Sequence, residues 1–262
     1  MKKPFILLTN DDGIDSEGLK YLWESLVDTA TLCVAAPMQQ QSGAGAGITL
    51  NAPMRIETAH NYPGSLAWKI DGKPADCVKL ALSTLLKTPP DFVLAGINHG
   101  SNAGRNLFYS GTVGAIIEAT LRGIPGIALS YACITSSFPH IKPLIPQIIH
   151  YLMEHPLPKG TLLNINFPHT ADQKIKGYKM ARQGLSYFTE SPQKTEYPSG
   201  HMHYTLGGKF SQHSEHIESD ISLLQEGYVT AVPIHIEQLT DNIHFEQKKD
   251  IFENSLNKNF NF

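Results

Sequence analysis

Phe5-Ile6-Leu7-Leu8-Thr9-Asn10-Asp11-Asp12-Gly13-Ile14 is an apolar run that stops abruptly at two carboxylates and a glycine. Four consecutive apolar residues have the length and composition of a buried strand. Along a strand, neighbouring side chains point to opposite faces. For Asp11 and Asp12 to converge, the backbone must turn where the strand ends, and Gly13 permits that turn. Two adjacent carboxylates repel each other, and a hard divalent cation such as Mg²⁺ or Mn²⁺ is the simplest remedy. The alternative at this motif alone is a solvated Asp-Asp-Gly turn.

Outward from this stretch, the first half of the chain alternates strand-like and helix-like pieces. Ser16-Glu17-Gly18-Leu19 opens a helix with Leu19, Leu22, Trp23 and Leu26 on one face. A second buried strand covers Ala30 to Ala36, closed by Pro37, and a glycine-rich loop follows at 38–47. Residues 48–58 and 65–70 alternate apolar and polar, which predicts a strand pair. Residues 74–87 predict a helix with proline at its start. Further strands are expected at 91–95, 126–130 and 161–165, with helices at about 112–122 and 141–153. Repeated β-α-β units with near-continuous apolar strands imply an α/β fold, a Rossmann-like three-layer parallel sheet covered on both faces. Ligands bind such sheets beyond the carboxyl ends of the strands. The loops 10–15, 38–47 and 96–111 all leave strands there.

From about residue 166 the pattern changes. Residues 172–218 are rich in Gly, Pro, Ser and His and read as a β-rich extension serving assembly. The alternation returns with a short helix at 218–225 and a strand at 228–232. The chain thus reads as one α/β domain over 1–240, with a polar tail at 241–262 that frays.

Composition narrows the function classes. The 262 residues are 41% hydrophobic and 17% charged, enough for one large core. A net charge of -3 gives no footprint for a nucleic-acid duplex or an anionic membrane surface. Cys33, Cys77 and Cys133 are odd in number and far apart, which argues against a disulfide framework and a cysteine zinc site. Each reads as a small buried hydrophobe. The apolar run after Met1-Lys2-Lys3-Pro4 is too short for a signal peptide, and no stretch approaches a membrane span. A cytoplasmic setting follows.

Three loops carry the residues capable of chemistry. In 38–47, the glycines of Ser42-Gly43-Ala44-Gly45-Ala46-Gly47 match no dinucleotide-binding spacing. They either make a flexible loop or let backbone N–H groups and Ser42 approach an ion. In 96–111, Asn98 sits just past a strand, where its carbonyl oxygen can complete a hard-cation site. Ser110-Gly111-Thr112 precedes a helix, whose free N–H groups and dipole favour a phosphate; an ordinary N-cap is the other reading. His99 is a further candidate in the same loop. His201, His203, His213 and His216 fall within sixteen residues but match no standard zinc spacing.

These residues together resemble the SurE survival-protein family. The resemblance rests on Thr9 to Ile14 with Glu17-Gly18, on Pro37 through Ser42-Gly43 to Ile48-Thr49, and on Gly72 to Val78. It continues in Gly96-Ile97-Asn98, Asn102, Ser110 to Val113 and Glu226 to Val229. It implies a Rossmann-like domain whose β-rich extension exchanges between subunits, in a homodimer or homotetramer. It implies a metal-dependent phosphatase acting on nucleoside 5′-monophosphates and 3′-monophosphates, with one Mg²⁺ or Mn²⁺ per subunit. Asp11, Asp12, Ser42 and Asn98 fall on the family's metal ligands; Asn102, Ser110, Gly111 and Thr112 fall near the phosphate. Asp11 or Asp12, with Asp12 favoured, would take the proton from an attacking water; a covalent aspartyl-phosphate stays open as the other route. Two positions depart from the family: Gln41 stands where arginine is common, and Asn106 where an acid is usual. A catalytically silent nucleotide-binding module therefore stays open. A receiver-like phospho-switch also places two acids after its first strand, but the strand 91–95 begins with its acid and ends without one.

Overall fold

Each strand-like run of the first half becomes a strand of one sheet. The structure is a computed structural model that describes residues 3–133, 138, 140–169, 174–196, 201–211 and 213–257. Outside these residues lie Met1-Lys2, parts of the expected extension (172–173, 197–200 and 212) and the Asn-rich end of the tail. In chain order the first half runs β1 (Phe5–Thr9), α1 (Glu17–Leu26), β2 (Thr31–Pro37), β3 (Ile56–Thr58), β4 (Leu66–Ile70), α2 (Pro74–Leu80), β5 (Phe92–His99), α3 (Gly111–Leu121), β6 (Gly126–Tyr131), α4 (Leu144–Glu154) and β7 (Thr161–Phe167). The second half adds β8 (Tyr178–Met180), β9 (Tyr187–Glu190), β10 (Gln193–Glu196), β11 (Met202–Thr205), β12 (Gly208–Ser211), α5 (Asp220–Gln225), β13 (Val229–His235) and α6 (Asn242–Leu256).

Nine strands form one sheet in the order β3-β4-β2-β1-β5-β6-β7-β13-β8. From β4 through β7 every pairing is parallel. The sheet is nonetheless mixed: β3 runs antiparallel to β4, and β13 antiparallel to β7. The alternation of side chains along β1 builds the three layers. Ile6 and Leu8 join Leu19, Leu22, Leu26, Ile145 and Ile149 of α1 and α4 on one face. Leu7 joins Cys77, Val78, Val113 and Ile116 of α2 and α3 on the other. Ser16 starts α1 by accepting a hydrogen bond from the Leu19 N–H (3.3 Å), a cap of the ordinary type.

Four expectations need correction. Residues 48–55 form no strand; only Ile56–Thr58 pairs with β4. The Asp76 carboxylate takes the Thr49 N–H (2.9 Å), so a side chain supplies what a ladder partner would have. The helix expected to Lys87 leaves regular α geometry after Leu80 and closes as a π-turn over Ala81–Leu85. The loop expected at 96–111 is shorter, because β5 runs on to His99 past a bulge between Ala95 and Asn98, and Gly104–Tyr109 is a 3-10 helix. Within the expected tail, Asn242–Leu256 is a fifteen-residue helix, α6, with every residue exposed. Cys33 and Cys77 are buried as expected, whereas Cys133 is only half-buried.

Two hairpins stand off the sheet, β9 with β12 and β10 with β11. They make up most of the β-rich extension among the described residues. No helix there is long and apolar enough to cross a membrane.

Candidate metal and phosphate site

The turn after β1 is fixed by Asn10. Its side chain accepts from the Gly13 N–H (3.2 Å) and donates to Gly13 O (2.9 Å) and Ser16 Oγ (2.6 Å). Gly13 takes a φ of +100°, which side-chain-bearing residues rarely adopt. One asparagine thus sets the turn that presents Asp11 and Asp12 and also steadies the cap of α1.

Backbone hydrogen bonds sew the three loops together. The Ile14 N–H donates to Pro37 O (2.9 Å) and the Gln41 N–H to Asp11 O (2.7 Å), joining the first loop to the second. The Gly45 N–H donates to Tyr109 O (3.0 Å), joining the second to the third. The approach is close enough that a Cβ on Gly114 would lie 2.0 Å from Gly45 O, and one on Gly111 would lie 2.7 Å from Asp11 Cβ. Glycine at the start of α3 is therefore a condition of the loops meeting.

The two carboxylates differ in environment. Asp11 is 5% exposed, and Thr112 Oγ1 donates to its Oδ1 at 2.5 Å. Burial pushes the Asp11 carboxyl up to about 6, opposed by the Thr112 hydrogen bond and reinforced by the neighbouring Asp12 charge. The start of α3 thus faces a carboxylate of the chain itself, an anion where a helix N-terminus prefers one. Asp12 is half-buried and also raised, again by burial first, with His99 pulling the other way. Its Oδ2 is buried with no hydrogen-bond partner. Among the described residues neither carboxylate is ion-paired to a lysine or arginine.

The remaining candidates fall into two groups. Ser42 is exposed, and the Gln40 amide nitrogen donates both to its Oγ (2.9 Å) and to Asp12 Oδ1 (3.3 Å). Gln40 thus stands as a neutral bridge between two of the expected ligands. Asn98 uses its amide nitrogen on Gly100 O (2.8 Å), which leaves its oxygen as the atom suited to a cation. Ser110 acts as the N-cap of α3, accepting from the Val113 N–H (3.1 Å). Asn102 is buried and its side chain is committed inward: Nδ2 donates to Ser130 Oγ (2.8 Å). Its backbone is held by Asn166 and Asn164 of β7 (2.8 Å each).

Both departures from the family have places here. Gln41 holds the second loop through its backbone N–H, and Asn106 Oδ1 accepts from the Phe188 N–H of β9 (3.0 Å). His99 packs against Phe138 with the rings tilted by 50° and their centroids 4.5 Å apart. Of the four late histidines, His213 stacks on Tyr187 (5.2 Å) and His216 lies 3.9 Å from Glu218.

Sequence reading gave no role to Gln40, Asn10 or Asp220. Asp220 is fully buried and accepts from the Gly104 N–H (3.0 Å) and the Gly184 N–H (2.8 Å), tying the third loop to the base of the extension. Burial pushes its carboxyl up to about 6, against those hydrogen bonds. Asn10 lies in the stretch that carries the resemblance, whereas Gln40 and Asp220 had no distinguishing pattern in the sequence.

The donor set suits a hard cation. Among the described residues no three His, Cys, Asp or Glu side chains cluster as a metal group. The four expected ligands, two carboxylates, a hydroxyl and an amide oxygen, would instead offer an all-oxygen set. Adjacent acids raised by burial, one with an orphaned buried oxygen, are what such a cation would relieve.

Comparison with known proteins agrees with this arrangement. The family model described as "Survival protein SurE" matches residues 6–190. The chain is 43% identical over 258 residues to a protein named 5′-nucleotidase SurE from Protochlamydia amoebophila, covering 97% of this chain and 99% of that one. A protein of the same name from Crocosphaera subtropica is 39% identical over 254 residues, covering 92% of each. The crystal structure of the SurE protein from Aquifex aeolicus superposes with a TM-score of 0.81 at 33% identity, covering 95% of this chain and all of that one. The chain belongs to the SurE survival-protein family.

Proposed function

We propose that the protein is a metal-dependent phosphatase that hydrolyses nucleoside 5′-monophosphates, and 3′-monophosphates, to nucleoside and phosphate. The relatives named 5′-nucleotidase support the reaction. The observation that carries it to these residues is the meeting of Asp11, the start of α3 and the Gln40-bridged Asp12 and Ser42 at one end of the sheet.

Asp11, Asp12, Ser42 and Asn98 hold one Mg²⁺ or Mn²⁺ per subunit. When bound, the cation supplies Lewis-acid polarisation and charge neutralisation for the phosphoryl group. The protein's own groups do the rest. Thr112 and the helix start keep Asp11 oriented and ionised despite its burial. Asp12 has an oxygen free of hydrogen bonds and serves as the proton acceptor for the attacking water. Gly111 and Thr112 present the first turn of α3 to the remaining phosphate oxygens, with Ser110 fixing the cap. Asn102 contributes by holding the third loop in register with β6 and β7.

The extension serves assembly, exchanging between subunits in a homodimer or homotetramer, as a unit built onto the 1–240 domain. The protein works in the cytoplasm, consistent with three cysteines that form no disulfide.

The test is phosphate release from a panel of nucleoside monophosphates with Mn²⁺, Mg²⁺ or EDTA, for the native chain and Asp12→Asn. Release that needs the metal and is lost in a normally folded Asp12→Asn variant supports the reading. No release with any metal, with nucleotide still raising Tm, points to a silent binding module. Release that survives both EDTA and Asp12→Asn puts the site elsewhere.

A further inference from the structure

The loop between β3 and β4, residues 59–65, leaves the sheet at the end of the strands away from the site, because β4 runs parallel to β2 and β1. It nevertheless folds back to the first site loop. Its one buried residue is Tyr62, 2% exposed, which belongs to the same apolar cluster as Ile14, Leu19 and Leu22. The Tyr62 hydroxyl donates to Ile14 O at 2.6 Å. Beside it, the Asn61 amide nitrogen donates to Asp15 Oδ1 (3.0 Å).

This bond falls where the two-carboxylate turn ends. The Ile14 N–H is held by Pro37 O and the Ile14 carbonyl by Tyr62, so both backbone polar groups have partners distant in sequence. Asn10 fixes the turn from inside, through Gly13, and Tyr62 fixes it from outside. The tyrosine ring is held separately. Trp23 meets it edge to face with centroids 6.0 Å apart, and Trp23 Nε1 donates to Ser65 Oγ (2.9 Å). A phenylalanine ring would make the same contact with Trp23. What the hydroxyl adds is the bond to Ile14. Burial pushes that hydroxyl above the usual tyrosine range, which keeps it a donor at neutral pH.

We propose that Tyr62 is a positioning residue for the reaction: its hydroxyl holds the Ile14 carbonyl so that Asp12 keeps its aim at the cation and the attacking water. The inference rests on the phosphatase reading and on the cation ligands assigned with it. Asp11 is oriented through its own side chain by Thr112, whereas Asp12 Oδ2 has no hydrogen-bond partner. The aim of Asp12 is therefore set largely by its backbone, which is fixed by Asn10 before it and by Ile14 after it. Groups that orient a metal ligand without touching the metal typically change affinity or activity about 10–100-fold when removed. Tyr62 acts through the backbone between Asp12 and Ile14, so the lower end of that range applies.

The experiment uses the full-length protein with Tyr62→Phe, and with Ser65→Ala as the control. Ser65→Ala loosens the same loop from Trp23 and leaves the Tyr62 hydroxyl in place. Mn²⁺ binding by isothermal titration, without nucleotide, reads the ligand set independently of catalysis. Phosphate release from AMP at saturating Mn²⁺ then separates kcat from KM. In Tyr62→Phe, Mn²⁺ affinity and kcat each fall about tenfold, while KM for AMP stays within about twofold of native because the start of α3 is untouched. Ser65→Ala lowers Tm and keeps native Mn²⁺ affinity and kcat. A Tyr62→Phe variant that also loses only Tm overturns the proposal and leaves Tyr62 a packing residue. Equal losses of Mn²⁺ affinity in the two variants overturn it as well, since the loop and not the hydroxyl is then responsible. If the native chain binds Mn²⁺ but releases no phosphate, the phosphatase reading fails, and weaker Mn²⁺ binding in Tyr62→Phe alone still supports the positioning role.

Discussion

Thr112→Val isolates how the start of α3 controls Asp11. The change is nearly isosteric and removes one donor, the hydroxyl 2.5 Å from Asp11 Oδ1. A hydrogen bond to a buried charged group contributes about 1.5–3 kcal/mol. At about 1.4 kcal/mol per pH unit, its loss moves the Asp11 carboxyl up by about one to two pH units. The native group is already at about 6. It should therefore titrate near 7 to 8 in the variant. Below pH 6 the carboxyl is protonated in both folded proteins, and the substitution has a small effect. Above that, the folded variant holds a proton that the native protein has released, while the unfolded chains are alike. Stability of the variant relative to native then falls as pH rises, by up to about 3 kcal/mol at pH 8.5. Urea unfolding in EDTA at pH 5 and pH 8.5 measures this, with the same pair in an Asp11→Asn background, where the difference should not change with pH. A destabilisation equal at both pH values, or one that persists unchanged in the Asp11→Asn background, refutes the reasoning.

Gly114→Ala places a methyl 2.0 Å from Gly45 O, more than an ångström inside ordinary contact. The second loop must retreat, and we expect phosphate release to fall on the order of 100-fold with a near-native circular dichroism spectrum. Ser110→Ala removes the cap accepting from Val113 and should lower stability by about 1 kcal/mol in urea unfolding. Asp12→Asn abolishes activity but raises Tm of the EDTA-treated protein, gaining up to about 1 kcal/mol, because it removes a half-buried carboxylate beside Asp11. Asp220 binds its proton more tightly folded, at about 6, than unfolded, at 3.8. Its contribution should therefore decline as pH rises between those values, on the order of 3 kcal/mol, and Asp220→Asn should flatten that slope in pH-dependent unfolding.

The central sheet was legible because its strands are buried on both faces and so read as unbroken apolar runs: Ile6 to Leu8, Leu32 to Ala36, Val93 to Ala95. α1 was legible from the spacing of Leu19, Leu22 and Leu26, and the start of α3 from Ser110. What the sequence hid was set by distant partners. Residues 48–55 alternate like a strand, but Asp76 captures the Thr49 N–H from 27 positions away. The antiparallel direction of β13 follows from the path of the extension before it, which no local pattern encodes. α6 is polar enough to read as a fraying tail, since helix propensity without a buried face leaves little periodic signal. In the site, the acids, Ser42 and Asn98 were visible as chemistry, while Gln40 and Asp220 matter only because folding brings them to those loops.

The asymmetry between the two adjacent acids is the most informative feature of the site. A fold selected only for stability would pair both carboxylates or bury neither. Here Thr112 and the end of a helix stabilise Asp11, and Gln40 offers Asp12 Oδ1 one long hydrogen bond at 3.3 Å. Asp12 Oδ2 is left buried and unpartnered. An unsatisfied buried carboxylate oxygen destabilises a protein by about 1–3 kcal/mol, and more if charged. The arrangement makes sense if Asp12 must stay available to a cation and a proton while Asp11 stays fixed. The neutral residues at Gln41 and Asn106 fit the same logic. With no lysine or arginine paired to either acid among the described residues, their charge is left for what binds between the loops.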